Sequence, residues 1–254
     1  MVHENRARAE SFGARAKAYD RYRPTYPEAI IDDLVAGGRP RVLDVGCGTG
    51  KAARLFAERG CEVLGIEIDE RMAEVARTHG IRVEVAPFES WEPDGRSFDL
   101  VTAGQAWHWV DPEVAPKKAA DVLASNGRIA VFWNHGSPYD PDFETAIEEA
   151  AAGRAGDRFG GPKGPRERHD ISWHADAIGK SGRFSPCEVR SYTWQMRLTN
   201  EDWLALWPTW SEIAVMSEPE RAALLSDVSA VLQRFGDEIL FDYETECITA
   251  VRVN

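Results

Sequence analysis

Between residues 41 and 134, short runs rich in valine and isoleucine alternate with longer segments of helical spacing. "RVLDVGC" (41–47), "CEVLGIEID" (61–69), "RVEVAP" (82–87), "FDLVTAGQ" (98–105) and "RIAVFWN" (128–134) read as strands. Between them, "KAARLFAERG", "ERMAEVARTHG" and "DPEVAPKKAADVLASNG" repeat apolar residues at helical intervals and end on a glycine. A strand reached through a helical crossover pairs parallel to the one before it. The alternation therefore predicts a parallel sheet with helices on both faces. In such a sheet a ligand binds beyond the carboxyl ends of the strands, where chain direction switches.

The flanks follow other patterns. "SFGARAKAYDRYRPTYPEAIIDDLVAGG" reads as two helices broken at "RPTYP", and "YDPDFETAIEEAAAGR" as one helix. "GDRFGGPKGPRERHD" (156–170) is glycine, proline and charge, hence a mobile loop. "PCEVRSYTWQMRLT" (186–199) and "ILFDYETECITAVRV" (239–253) read as two long terminal strands, with helices in "NEDWLALWPTWSEI" and "SEPERAALLSDVSAVLQRF" between them. At 254 residues the chain holds one large domain with a full core, or a domain plus a cap. A net charge of −12 argues against a nucleic-acid partner, which needs a basic face. No apolar run has the length of a membrane span, and the polar "MVHENRARAESFG" has no signal core. The four cysteines form no CxxC pair, so they read as reduced thiols of a cytoplasmic protein, and no His, Cys and carboxylate spacing proposes a metal.

The chemistry concentrates in "VLDVGCGTGK" (42–51). A phosphate-binding P-loop would need glycine at Val45 and a hydroxyl at Ala52. The dinucleotide fingerprint would use Gly46 and Gly48 but meets Lys51 where it needs a third glycine; that glycine comes one residue early, at Gly50. Asp44 adds a physical objection, because a fixed carboxylate raises the energy of a neighbouring pyrophosphate. A ligand with a cationic amino-acid end favours it, and S-adenosyl-L-methionine carries both an ammonium and a sulfonium. Seventeen residues after Gly50, Glu67 ends the second strand, where a carboxylate can accept both hydrogens of a ribose diol. Asp69 reads as the N-cap of the next helix.

D-x-G-x-G-x-G, the acid in "GIEID" and the later "FDLVTAGQAWHWVD" resemble class I S-adenosylmethionine-dependent methyltransferases. "SFGARAKAYDRYRPTYP" and "AWHWVD…GRIAVFWN" look like the bacterial small-molecule branch that includes trans-aconitate and quinone-pathway methyltransferases. The likeness spans residues 12–134 and thins over 186–253. It implies a Rossmann-like α/β sheet of seven strands, mostly parallel with the last antiparallel, as one domain over 1–254. Within it, 1–38 forms a helical lid, 39–138 the cofactor-binding core, 139–183 and 200–236 cap insertions, and 186–199 and 239–253 the terminal strands. The implied activity is methyl transfer by in-line displacement to a small-molecule acceptor. A catalytically silent binding protein on the same fold and a nucleotide-dependent oxidoreductase are the rivals.

Carried over by position, Asp44, Gly46, Cys47, Gly48 and Gly50 face the methionyl end, and Glu67 the ribose. Ile68 and Met72 pack near the adenine. Relatives often carry an acid after the third strand where this chain has Pro87, so Phe88 and Glu89 take that place, although Glu89 reads equally as a solvated loop acid. Gln105 and Ala106 border the methyl region. Tyr19 and Arg23 are assigned to the cofactor side of the lid, Tyr22 and Tyr26 to the acceptor side; packing the first helix on the sheet edge is their alternative role. His108 and His135 follow the fourth and fifth strands and are the candidate bases, though His108 also fits a helix-start histidine bonded to backbone. His169 and His174 read as solvated, and His3 and His79 lack context. Trp107 and Trp109 flank His108, and Trp207 shares a stripe with Trp203 and Trp210; such a stripe is ordinarily core, but here it belongs to the cap and is assigned to the acceptor site. Arg154, Arg158, Lys163, Arg166 and Arg168 make a basic loop: solvated, or steering a carboxylate or other anion inward.

Overall fold

The β-branched runs form the strands that their pattern predicts. The computed structural model describes Gly13, residues 15–155 and residues 170–253. The strands are β1 (Arg41–Val45), β2 (Glu62–Glu67), β3 (Arg82–Val85), β4 (Phe98–Gly104), β5 (Leu123–Pro138), β6 (Glu188–Thr199) and β7 (Glu238–Val251). They make one seven-stranded sheet in the order β3-β2-β1-β4-β5-β7-β6. β1 to β5 pair in parallel, and β7 runs antiparallel between β5 and β6. The order reverses between β1 and β4, which places a ligand crevice at the carboxyl ends of those two strands.

The helices are α1 (Ala16–Tyr22), α2 (Glu28–Val35), α3 (Lys51–Glu58), α4 (Glu70–Thr78), α5 (Ala115–Val122), α6 (Pro141–Ala155), α7 (Ser172–Lys180), α8 (Asn200–Leu206), α9 (Ser211–Ala214) and α10 (Glu218–Leu232). One sheet face buries Leu43, Val101, Ile129 and Val131 against α5 and α7. On the other, Ile30 and Ile31 of α2 and Phe56 of α3 pack over Val42, Leu100 and Phe132. A separate apolar cluster joins α6, α8 and α10 to the far ends of β6 and β7 through Phe143, Trp203, Leu224 and Phe241. This last cluster is the cap. No described helix is long and apolar enough to cross a membrane.

Three expectations change. β5 runs from Leu123 to Pro138, not 128–134, because β7 supplies hydrogen-bond partners as far as Pro138↔Phe241. Helix α7, read as part of the cap, belongs to the sheet core: Ile171, Ile178 and Phe184 join the β4–β5 face. His174 is not solvated. It is buried in α7 and stacks on Trp133, ring centroids 4.4 Å apart. His3, His169 and the basic loop from 156 to 169 lie outside the described residues, and of Arg154 only the backbone is described.

Candidate active site

The turn after β1 is shaped by its glycines. Gly46 has φ +65°, and a Cβ there would stand 2.6 Å from the Ala106 Cβ, so only glycine lets this turn meet the tip of β4. The turn docks on β2: the Gly46 and Cys47 amides donate to the Ile66 carbonyl at 2.8 and 3.1 Å. Gln105, across the crevice, holds the left-handed region without being glycine (φ 58°), a conformation that the surroundings must impose. Its backbone N–H donates to Phe132 O (2.8 Å) and its side-chain amide to Asn134 O (3.0 Å).

Asp44 sits under this turn, 1% exposed. Its register partner on β4, Thr102, donates Oγ1–H to Oδ1 at 3.1 Å. Oδ2 has no hydrogen-bond partner among the described residues. Burial pushes its carboxyl up to about 7; the nearby Glu67 charge adds to this, while Thr102 and the Ala53 amide oppose it. Glu67 closes the end of β2. Its Oε2 accepts from Gly48 N–H at 2.8 Å, and its Oε1 from Ile68 and Asp69 N–H at 2.9 and 3.0 Å. Burial raises this carboxyl too, against the pull of those three amides. Asp69 caps α4, accepting from Arg71 N–H at 2.9 Å, as its position predicts.

Two adjoining hollows open from the turn and share Tyr19, Gly46, Gly48, Gly104, Gln105 and Trp109. The first, about 150 Å³, is an apolar slot lined by Ile66, Ile68, Met72, Pro87, Phe88 and Ala106, with Glu67 and Glu89 at its polar edge. Glu89 accepts from the Asp111 N–H at 2.9 Å, so it braces the turn after Trp109 as well as facing the slot. The second, about 230 Å³, is lined by Arg23, Tyr26, Asp44, Cys47, Lys51, His108, Asn134 and Trp210. Arg23 ties the lid to the cap: its Nε donates to Thr209 Oγ1 at 2.9 Å and a terminal N–H to Thr209 O at 2.8 Å. Lys51 Nζ donates to the Asp20 carbonyl at 2.6 Å, and burial pulls the amine down to about 8. Asp20 also pairs with Arg54 (3.0 Å) and His79 (2.8 Å), so His79, without context in sequence, anchors helix α1 over the crevice.

Most residues singled out in sequence meet at these hollows, and five do not. Trp107 is 2% exposed and packs on Phe88 in the sheet core. Trp207 is fully buried between Trp203 and Trp210 in the cap core. Tyr22 packs against that same cluster. His135 lies within β5, its Nε2 3.1 Å from Glu246 Oε2 on β7, and it lines neither hollow. Gly50 heads α3 and packs on Ala76 rather than lining a hollow. Thr102, Lys51, Asn134 and Trp210 are the wall and support residues that sequence reasoning did not assign. Only Lys51 and Trp210 carried a signal, one in the glycine motif and one in the tryptophan stripe.

Residues 43–131 match the family model described as a methyltransferase domain. An uncharacterized methyltransferase of Mycobacterium tuberculosis is 39% identical over 137 residues, which are 53% of this chain and 56% of the relative. The chain thus matches about half the length of such curated relatives. Among solved structures, a "putative type II methyltransferase" from Anaeromyxobacter dehalogenans superposes with a TM-score of 0.66 at 21% identity, covering 91% of this chain and 98% of that one. A phosphoethanolamine N-methyltransferase from Haemonchus contortus, solved with phosphomonomethylethanolamine and S-adenosylhomocysteine, gives 0.52 at 19% identity, covering 95% and 58%. The fold is that of class I methyltransferases. Over residues 43–131 the sequence is similar to that methyltransferase domain family.

Proposed function

We propose that the chain binds S-adenosyl-L-methionine and transfers its methyl group to a small-molecule acceptor. The observation that carries this reading is Asp44: a buried carboxylate oxygen without a hydrogen-bond partner among the described residues, beneath a glycine turn, calls for a cation. The methionyl ammonium of the cofactor supplies one. Gly46 and Gly48 let it approach, and the slot between Ile68, Met72 and Phe88 suits an apolar, planar adenine. Glu67 stands where the ribose would lie. Three backbone amides already use its oxygens, leaving about one of roughly four acceptor positions, so it can take one hydroxyl hydrogen and not both.

When bound, the cofactor supplies a sulfonium-activated methyl, to which an acceptor lone pair bonds as the carbon–sulfur pair returns to sulfur. The protein's share is to orient the acceptor and exclude water. Tyr19, Arg23 and Tyr26 of the lid, Trp210 of the cap and His108 at the β4 end enclose the 230 Å³ cavity where the acceptor would sit. Arg23 and Lys51 on its wall favour an anion, and a carboxylate is the class we assign. An amine at about 8 still carries its charge at neutral pH. Four free cysteines support a cytoplasmic location.

Isothermal calorimetry with S-adenosylhomocysteine and with NAD tests the reading. Binding of the first without the second is expected. Micromolar NAD binding with no response to S-adenosylhomocysteine would overturn it in favour of an oxidoreductase.

A further inference from the structure

Trp133 joins two histidines that lie far apart in the sequence. Its indole Nε1–H donates to His108 Nδ1 at 3.1 Å. Its ring stacks on His174, the planes inclined by 22°. Trp133 and His174 are both buried, so packing fixes the direction in which the indole N–H points. His108 lines the cavity assigned to the acceptor.

An indole nitrogen donates and never accepts. The imidazole nitrogen facing it must therefore present a lone pair, and a neutral imidazole has only one such nitrogen. His108 Nδ1 is that nitrogen, and the proton resides on Nε2. Accepting a further proton would place it on Nδ1, against the indole N–H. The alternative tautomer, which would free a lone pair at Nε2, makes the same donor–donor clash.

We propose that Trp133 holds His108 as the Nε2–H tautomer, so that His108 serves the methyl acceptor as a hydrogen-bond donor and not as a base. The role toward the acceptor rests on the methyl-transfer reading above; the tautomer does not. Trp133 acts as a positioning residue, with His174 bracing its plane from behind. The consequence concerns substrate class. A nucleophile that must lose a proton to be reactive, such as an alcohol or a phenol, receives no help from His108. A carboxylate oxygen needs none.

The test is nitrogen-15 NMR on the full, ligand-free chain labelled at histidine and tryptophan, at about pH 8, where an unperturbed imidazole is neutral. His108 should show a pyridine-type Nδ1 and a pyrrole-type Nε2, with a scalar coupling to Trp133 Nε1 across the hydrogen bond. Trp133→Phe keeps the stacked ring and removes the donor. In it both His108 signals should move toward the averaged values of a tautomer mixture. Protonation of His108 at Nδ1 in the wild type would overturn the proposal, as would an absent coupling together with signals that Trp133→Phe leaves in place. If Trp133→Phe does not fold, the wild-type tautomer and coupling decide alone. Because no ligand is present, failure here leaves S-adenosylhomocysteine binding intact, and failure of that binding leaves the tautomer intact.

Discussion

If Asp44 lies in the proposed cofactor site, it makes binding sensitive to pH in a calculable way. Burial lifts its carboxyl from an ordinary 3.8 to about 7. At pH 6 only about a tenth of such groups are ionised, and at pH 8 about nine-tenths. If a ligand ammonium must meet the ionised form, affinity for S-adenosylhomocysteine should rise roughly tenfold per pH unit below 7 and level off above it. Binding near pH 6 should also release close to one proton, measurable by calorimetry in buffers of different ionisation enthalpy. Folding gives a second reading with the opposite sign. A carboxyl raised in the folded state adds stability below its unfolded pKa, and that stability is lost as pH rises toward 7. At ~1.4 kcal/mol per pH unit, the loss between pH 4 and 7 amounts to ~4 kcal/mol. Asp44→Asn removes the titration, so its stability relative to wild type should climb by about that amount over the same window. Its affinity should fall by roughly 10- to 150-fold, the equivalent of losing one charge-assisted hydrogen bond of about 1.5–3 kcal/mol. An affinity that stays flat from pH 5.5 to 8 with no proton released would refute the reasoning.

Glu67→Ala should lower both stability and affinity. It strips an acceptor from the amides of Gly48, Ile68 and Asp69, and each buried N–H left unmet costs about 1–3 kcal/mol. Denaturant melts showing full stability with affinity alone reduced would mean that the amides are not held through this carboxylate. Asp69→Ala should cost ~1 kcal/mol as a lost helix cap and leave S-adenosylhomocysteine affinity within twofold. A tenfold loss of affinity would place Asp69 in the site rather than beneath it.

Pattern revealed the sheet, because a strand core of Val42, Leu43 and Val45 is written directly in composition. It pointed to the proposed cofactor end for a related reason: glycines at positive φ and a carboxylate at a strand tip are local requirements, written in short stretches of sequence. The proposed acceptor end depends on elements brought together from separate places in the chain. Helical spacing groups Trp203, Trp207 and Trp210 but does not say which member faces outward; Trp207 turned inward and Trp210 toward the cavity. Trp107 and Trp109 divide in the same way within one turn, the first into the core and the second to both hollows. In sequence His135 follows the strand pattern 128–134, but β5 continues four residues beyond it, to Pro138. The pairing with β7 that extends it appears only in three dimensions, and with it the Glu246 partner that occupies the ring. The lid anchors are equally silent in sequence, since Asp20 and His79 lie 59 residues apart.

Asp44 and Asp69 are the same residue type and both nearly inaccessible, one within β1 and one capping α4, yet their environments push them in opposite directions. Asp69 accepts from the Arg71 backbone and meets its guanidinium at 2.6 Å, and chiefly that side-chain hydrogen bond holds its carboxyl below the usual range. Its burial is offset within the chain, and its role ends with the helix that it caps. Asp44 has one hydroxyl, one bare oxygen and a second raised carboxyl nearby. The same unfavourable field reaches the Tyr26 hydroxyl and the Cys47 thiol, both pushed up first by burial and then, in part, by Asp44. A chain selected for stability alone would place an asparagine or an apolar residue at position 44. That the cost stands largely unrelieved at the wall of a cavity is what a cation-binding site requires. The satisfied carboxylate serves its helix, and the unsatisfied one is where the proposed ligand would bind.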